Sequence, residues 1–475
     1  MVACLASLWA PLGVALLAVL APAPGHAQVL QLWTHQADFG DASAAVAMDD
    51  TLMFVANNEN EILGLFSRHP ANPCQTAIWS LNVRPFLGPT GSDSSADVES
   101  AVKLIDANGR RIYWLGSLGN NKNGTARPNR DHIFATQITG NGFGTPPYSL
   151  TYVGRYDYLR EDIIAWDANN GHGLGANYFG LAASAAHGVP PQQIDGFNVE
   201  GLTLAPDRKT AYVSFRAPLV NGSGPTTSTS PRTHALIVQL LNMPALVAGN
   251  PTPGPGAAVI GGAILLPLGS RGIRSIDYTM PQQYLITAGP TDAVSNPPVA
   301  PLNFRLFTWT GNPDGWPLEH VTNFDATYSP EACILPDEHI TAQTIAELLN
   351  DDGGGNGCWR SMTCQVGLGV GWVDAPLPPA ASGGVRFSRG PAPNPAQHGV
   401  SFAITVPHEQ WVDLSIHDLE GRCVATLWNG ELTEGEHHFA WEGAAVGGAH
   451  EAAGVFWVKL RAADRTDARR FVLMP

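Results

Sequence analysis

The sequence predicts an all-β protein with two domains, a β-propeller followed by a β-sandwich. Three observations support this fold class. First, 51 glycines and 38 prolines in 475 residues require frequent turns. Second, short apolar segments recur in pairs across turn clusters, and an acidic residue precedes or follows several of them closely. Third, a Pro/Gly-rich stretch at 374–384 separates these pairs from a tail with regular apolar–polar alternation.

The first element is a predicted secretory signal at 1–27. Residues 5–20 are apolar, and Gly25-His26-Ala27 forms a small-residue cleavage site before Gln28. The apolar run is too short to span a membrane, and no later run approaches the required length. We therefore expect an exported protein, in the periplasm, at the cell surface or outside the cell, with no membrane span.

Residues 28–373 are predicted to form the propeller. Asp97-Val-Glu-Ser100 and Asn198-Val-Glu-Gly201 each precede a strand, a turn and a second strand, and looser copies lie near Asp41, Asp277 and Glu331. Recurrence at roughly 50 residues, or a multiple of it, is typical of propeller blades. Six blades are favoured and seven stay open, with a two-sheet sandwich as the alternative. One helix is predicted at 341–350.

Export permits disulfides. Cys358 and Cys364 bracket a short loop, and we expect them to pair. Cys74 and Cys333 can pair if the first and last blades meet where the ring closes.

The net charge of −15 narrows the range of partners. A phosphate-binding groove needs a basic face, so nucleic acid is excluded as a partner. An anionic membrane surface is disfavoured for the same reason.

Acidic residues near the start of predicted inner strands define a candidate site at one mouth of the propeller channel. Converging carboxylates repel each other unless a cation is bound, and oxygen ligands suit Ca²⁺. The predicted metal ligands are Asp41, Glu99, Glu200, Asp277 and Glu331. Arg216 and Arg274 are expected near the same mouth, where they can pair with carboxylates or hold an anionic substrate. The candidate catalytic residues are Glu99, Glu200, Arg216 and Arg274. In the alternative interpretation, each carboxylate accepts backbone N–H groups within its own blade.

A serine hydrolase is disfavoured, because the sequence has no Gly-x-Ser-x-Gly motif. Ser117 with His132 as its base is the one serine alternative, and turn chemistry explains this serine more simply.

The tail at 385–475 resembles the FlgD-type immunoglobulin-like domain that ends many exported bacterial proteins. The matching segments are 393–395, 412–418, 421–422, 441–443, 453–457 and 468–473. The resemblance implies an immunoglobulin-like β-sandwich, and it implies contact with a secretion machinery, since related tails are sorting signals for the type IX route.

The body resembles an uncharacterised family of exported bacterial propellers grouped near esterase-like, phytase-like proteins. The segments that carry this resemblance are 41–50, 97–102, 197–204, 214–219, 272–278, 287–290 and 329–332. In the first blade this chain has Asn57-Asn58-Glu59, where the family usually has an Asp-Glu pair.

Three functions stay open from the sequence. The first is a Ca²⁺-assisted hydrolase of esters or phosphoesters. The second is a non-catalytic propeller that binds a small-molecule, surface or protein ligand and is displayed or sorted through its tail. The third is a structural cell-surface spacer.

Overall fold

The computed structural model describes residues 26–366 and 385–474 with internal gaps. The gaps are 38–41, 58–59, 89–94, 249–251, 280–282, 292–303, 314, 323, 325–327, 337–339, 341–343, 352–357, 393, 395, 398, 407–408, 419–422, 444–452 and 463–464. The predicted signal cleavage site, between Ala27 and Gln28, lies within the first strand of this range, and the linker at 374–384 lies outside it. The chain divides into two compact units, one of residues 1–311 with 320–369 and one of 312–319 with 370–475.

The propeller unit is built from antiparallel blades of short strands, which confirms the all-β propeller class. The first three blades contain β2 Ala42–Ala47, β3 Leu52–Asn57, β4 Ile62–Ser67 and β5 Trp79–Asn82; β6 Val98–Asp106, β7 Gly109–Gly116, β8 Ile133–Gly140 and β9 Tyr148–Tyr156; and β10 Asn198–Leu204, β11 Ala211–Ala217, β12 Ala235–Leu240 and β13 Ile260–Leu266. The last two contain β14 Gly272–Thr279, β15 Gln283–Gly289, β16 Arg305–Trp309 and β17 Leu318–Thr322; and β18 Pro330–Ile334, β19 Ile345–Asn350, β20 Cys358–Gln365 and β1 His26–Ala37.

The described residues form five blades, so the favoured count of six is wrong. The innermost strands contact one another in a closed circle, in the order β2, β6, β10, β14, β18 and back to β2. Each of five buried apolar clusters joins two consecutive blades, and the one between the last and first blades contains Met53, Phe66, Ile334 and Trp359. The inner strands of the second and third blades start at Val98 and Asn198. This interval is wide because an insertion that contains two helices follows the outer strand of the second blade.

The N-terminal strand closes the ring by adding to the last blade. β1 pairs antiparallel with β20, from Gln28 opposite Gln365 to Ala37 opposite Cys358. A disulfide joins Cys74 of the first blade to Cys358 of the last. The expected Cys358–Cys364 pair is wrong, because both residues lie on β20 and six extended residues hold them too far apart. Cys333 and Cys364 are free and buried.

Helices lie in the connections. They are α1 Arg84–Leu87, α2 Leu159–Ala168, α3 Leu181–Ser184 and α4 Met243–Leu246, with a 3₁₀ turn at Pro128–Arg130. The helix predicted at 341–350 is wrong, because its described part is β19, a central strand paired with β18 and β20. Burial of Leu348 and Leu349 on the two faces of this blade outweighs their helix propensity.

The second unit contains a β-sandwich. One sheet has the order β24-β23-β26-β27 and the other β21-β22-β25. The strands are β21 Arg386–Ala392, β22 Val400–Val406, β23 Gln410–His417, β24 Cys423–Leu432, β25 Gly435–Trp441, β26 Gly454–Ala462 and β27 Arg465–Leu473. Alternation places one apolar face of each sheet in a shared core around Phe402, Leu414, Trp441 and Phe456.

Candidate functional site

Every inner strand of the propeller carries a β-bulge near its start. The register shifts fall between Ala42 and Ala44, Val98 and Ser100, Val199 and Gly201, Ile273 and Ser275, and Pro330 and Ala332. A bulge leaves one residue without a cross-strand partner and turns it out of the ladder. The five bulged residues, which we call the bulge ring, are Ser43, Glu99, Glu200, Arg274 and Glu331.

Two arginines and two carboxylates alternate in a chain of ion pairs at the bulge ring. Arg216, left unpaired on β11 by the adjacent register shift between Asn198 and Val199, donates from Nη1 to Glu200 Oε1 at 2.7 Å. Arg274 Nε lies 2.8 Å from Glu200 Oε2, and Arg274 Nη2 donates to Glu331 Oε1. The Arg274 Nε–H is not aligned with the Glu200 oxygen, so that contact is an ion pair rather than a hydrogen bond. All four side chains are buried.

Backbone carbonyls and an amide complete this network. Arg216 Nε donates to Thr291 O at 2.7 Å, and Arg274 Nη1 donates to Pro290 O at 3.3 Å. Asn198 Nδ2 donates to Glu200 Oε1 at 3.0 Å. Buried charges persist when they are both paired and hydrogen-bonded, and these are. Burial lowers the pKa of Arg274 to about 10, with Arg216 adding repulsion and Glu200 opposing the shift.

Glu99 is the bulged carboxylate that the arginines do not contact. It is largely buried, and no hydrogen bond to its carboxyl group is formed among the described residues. Burial raises its pKa well above the ordinary value, and repulsion from Asp97 and Glu200 adds to the shift, against the attraction of Arg274 and Arg216. The two arginines pair with Glu200 and Glu331 instead.

The structure therefore brings together five of the predicted site residues. They are Glu99, Glu200, Glu331, Arg216 and Arg274. Asp277 does not hold the equivalent position, because Arg274 is the bulged residue of its strand. Asp277 also lines the channel, and its Oδ2 accepts the backbone N–H of Leu335, which follows β18 of the next blade, at 3.0 Å. The alternative interpretation placed such bonds within one blade. Asp41 lies outside the described residues.

The channel behind the bulge ring is narrow. It holds a cavity of about 20 Å³, lined by Ser43, Glu99, Glu200, Asp277 and Cys333 among others. A cavity of this size holds about one water molecule. Small residues follow each bulge, and at Gly201 a Cβ would lie 2.7 Å from the Ser214 side chain. This cavity is smaller than an ester or phosphoester substrate.

The residues at the mouth do not fit a calcium ion. Calcium takes six to eight oxygen ligands. Both oxygens of Glu200 face guanidinium groups, and Glu331 pairs with Arg274. In the part of the chain that the structure describes, no three His, Cys, Asp or Glu side chains are grouped to hold a metal. We therefore derive no catalytic step through calcium.

Ser117 and His132 belong to two different polar pairs. The Ser117 hydroxyl donates to Asp97, which also pairs with Arg130 at 2.7 Å. His132 Nδ1 lies 2.9 Å from Asp157 Oδ1. The Ser117 hydroxyl therefore donates to Asp97 rather than to His132. This bond joins the loop after β7 to the residue before β6, which is a structural role.

The longest connections lie on the face where the bulge ring opens. In an antiparallel blade, the loop after the second strand and the loop after the outer strand lie at the end where the inner strand begins. The described loops 117–132, 157–197 and 218–234 are all on this face. Asn120 ties two of them together, since its Nδ2 donates to Ala186 O at 3.0 Å and its Oδ1 accepts from Arg160 at 2.8 Å. The sequence pattern did not reveal this face, because loop packing has no periodicity.

Comparisons with known proteins assign neither a family nor an activity to this chain. No family model and no curated protein matches the sequence. Among solved structures, the chain is similar to PorZ, a surface component of the type-IX secretion system of Porphyromonas gingivalis, with 15% identity and a TM-score of 0.27 over 94% of this chain. This chain spans about half, 52%, of that PorZ chain.

Two further similar structures are enzymes by their descriptions. One is a PQQ-bound aldose sugar dehydrogenase from Streptomyces coelicolor, with 11% identity, a TM-score of 0.34, and coverage of 72% of this chain and 99% of that one. The other is a putative 6-phosphogluconolactonase from Bacteroides fragilis, with 10% identity, a TM-score of 0.28, and coverage of 68% and 70%. Similarity this low carries no argument about activity. None of the helices in the described part of the chain has the length and hydropathy needed to cross a bilayer.

Proposed function

We propose that this chain is an exported binding protein whose propeller is a recognition module rather than a hydrolase, and whose sandwich serves in display or sorting. The observation that carries the proposal is the closed ion-pair network Glu331–Arg274–Glu200–Arg216. A hydrolase needs a free base, a free electrophile or a metal near a substrate-sized cavity. Here the charges neutralise each other around a space for one water.

Recognition is assigned to the loop face around the bulge ring. Binding residues concentrate on loops held by a rigid scaffold, and this face carries the longest ones. The disulfide between the first and last blades supports export, because such bonds persist in oxidising compartments. The FlgD-type resemblance of the tail supports its assignment to sorting.

A hydrolase screen tests the catalytic half of the proposal. The mature chain and Glu200→Gln are assayed on p-nitrophenyl acetate, p-nitrophenyl phosphate and phytate, with and without millimolar calcium. Both proteins should stay at the buffer rate. Turnover in the wild type that disappears in Glu200→Gln would establish the hydrolase instead.

Site-specific photocrosslinking in the native host tests the binding half. A photoreactive residue replaces the exposed Asn123 on the loop face or, as the matched control, the exposed Lys209 on the opposite face. We expect discrete adducts from position 123 and none from 209. The reverse pattern would move recognition to the other face.

A further inference from the structure

The outer face of the sandwich's four-stranded sheet carries an unusual set of side chains. On β23, Val412, Leu414 and Ile416 are buried in the core. Alternation therefore places the residues between them on the outer face, and these are Trp411, Asp413, Ser415 and His417.

The neighbouring strands extend this outer face. Residues directly opposite in an antiparallel pair share a face. Register therefore places three residues of β26 on the outer face: Trp457 opposite His417, Lys459 opposite Ser415, and Arg461 opposite Asp413. Arg470 of β27 lies opposite Trp457.

Three basic side chains of this face form no ion pair in the described part of the chain. Among the described residues, none of Lys459, Arg461 and Arg470 forms a side-chain ion pair or hydrogen bond within the protein. Asp413, directly opposite Arg461, accepts hydrogen bonds from Asn429 at 2.8 Å and from Ser415 at 3.2 Å and forms no ion pair with Arg461. Burial lowers the pKa of Arg470, and no carboxylate offsets this shift. Unpaired cations concentrated on one sheet face of a chain with net charge −15 indicate an anionic ligand.

Two tryptophans frame the basic residues. Trp411 is 46% exposed, and Trp457 is partly exposed. Trp457 lies opposite His417, six residues along β23 from Trp411, so the backbone positions of the two tryptophans are about 20 Å apart. The Lys459 and Arg461 rows lie between them. The pattern along the sheet is therefore aromatic, basic, basic, aromatic.

We propose that this outer face binds an acidic polysaccharide. Indole faces stack on the C–H faces of sugar rings, and guanidinium and ammonium groups pair with carboxylate or sulfate substituents. An acidic peptide is a poorer fit, because an extended peptide gains affinity from main-chain bonds at a sheet edge. The backbone groups of β23 and β26 are already paired on both sides.

Affinity electrophoresis of the full mature chain tests this proposal. The gels contain polygalacturonate as the anionic probe, dextran as the neutral probe, or poly-glutamate as the acidic-peptide probe. The variants are Lys459→Gln with Arg461→Gln, and Trp457→Ala. The matched control is Arg208→Gln with Lys209→Gln, which removes two exposed charges from a propeller turn. Thermal melts confirm that each variant is folded.

We expect retardation by polygalacturonate and not by dextran. Each outer-face variant should bind about tenfold more weakly, which corresponds to about 1.4 kcal/mol, and the turn control should bind like the wild type. Equal retardation by dextran would overturn the proposal, as would a weakening only in the turn control. Poly-glutamate binding that matches polygalacturonate and is insensitive to Trp457→Ala would assign the face to an acidic protein instead.

Discussion

The channel mouth of the propeller and the outer face of the sandwich both concentrate basic residues, but in opposite settings. Arg216 and Arg274 are buried, and each lies within 3 Å of a carboxylate oxygen. Lys459 and Arg461 lie on a solvent-facing sheet and have no such partner among the described residues. Charges that satisfy one another contribute to architecture, whereas charges left unpaired are available to a ligand. A count of charged residues alone would not separate the two.

The largest effect should follow from breaking the paired region. Arg274→Met removes the cation shared by Glu200 and Glu331 and leaves buried negative charge without compensation. The free energy of unfolding should fall by about 3–5 kcal/mol. Arg461→Met on the outer face should change it by less than about 0.5 kcal/mol. Urea unfolding of both variants measures the two free energies of unfolding. Equal losses would contradict the distinction between paired, buried arginines and unpaired, exposed ones.

The disulfide sharpens the comparison between the two units. Cys74–Cys358 joins the first and last blades of the propeller across a sequence separation of 284 residues. Replacing both cysteines with serine should destabilise the propeller by about 2–4 kcal/mol. Calorimetry should show the propeller transition shifted down and the sandwich transition unchanged. A shift of both transitions to the same extent would mean that the units unfold as one.

A smaller, pH-dependent effect is expected at Glu99. Its pKa in the folded protein is raised above the ordinary 4.5, so the folded state holds this proton more tightly than the unfolded state. Wild-type stability should therefore decline relative to Glu99→Gln as pH rises above about 4.5, until the folded carboxyl also ionises. Glu99→Gln should match the wild type near pH 4 and melt a few degrees higher at neutral pH. Thermal melts across pH measure this, and a variant that is less stable at every pH would indicate a backbone-capping role.

The fold class and the converging glutamates could be predicted, because apolar alternation and the recurring acidic residue are properties of local sequence. Glu99, Glu200 and Glu331 are the bulged residues of their strands. On the fourth inner strand Asp277 was predicted as their counterpart, whereas Arg274 holds that position, since a bulge inserts one residue and shifts the register that alternation assumes. The small residue after each bulge, such as Gly201 or Ser275, is the signal that aligns the five strands.

Blade number and disulfide pairing depended on long-range contacts. The insertion at 157–197 widened one interval between inner strands, and the strand at His26–Ala37 completes a blade whose other strands come from the far end of the propeller. Cys74 meets Cys358 only because of that closure. The pairing of arginines with carboxylates, which decides between architecture and catalysis, depends on side-chain positions that no spacing encodes.

The most direct test of the account compares wild type and Glu200→Gln in thermal and urea unfolding, each with and without millimolar calcium. If the channel mouth is architecture, calcium leaves the wild-type midpoint unchanged. Glu200→Gln then lowers the free energy of unfolding by about 3 kcal/mol, because Arg216 and Arg274 lose their shared carboxylate. A wild-type midpoint that rises with calcium, together with a Glu200→Gln variant that is as stable as wild type and no longer responds to calcium, would contradict this account and restore a metal site at the channel mouth.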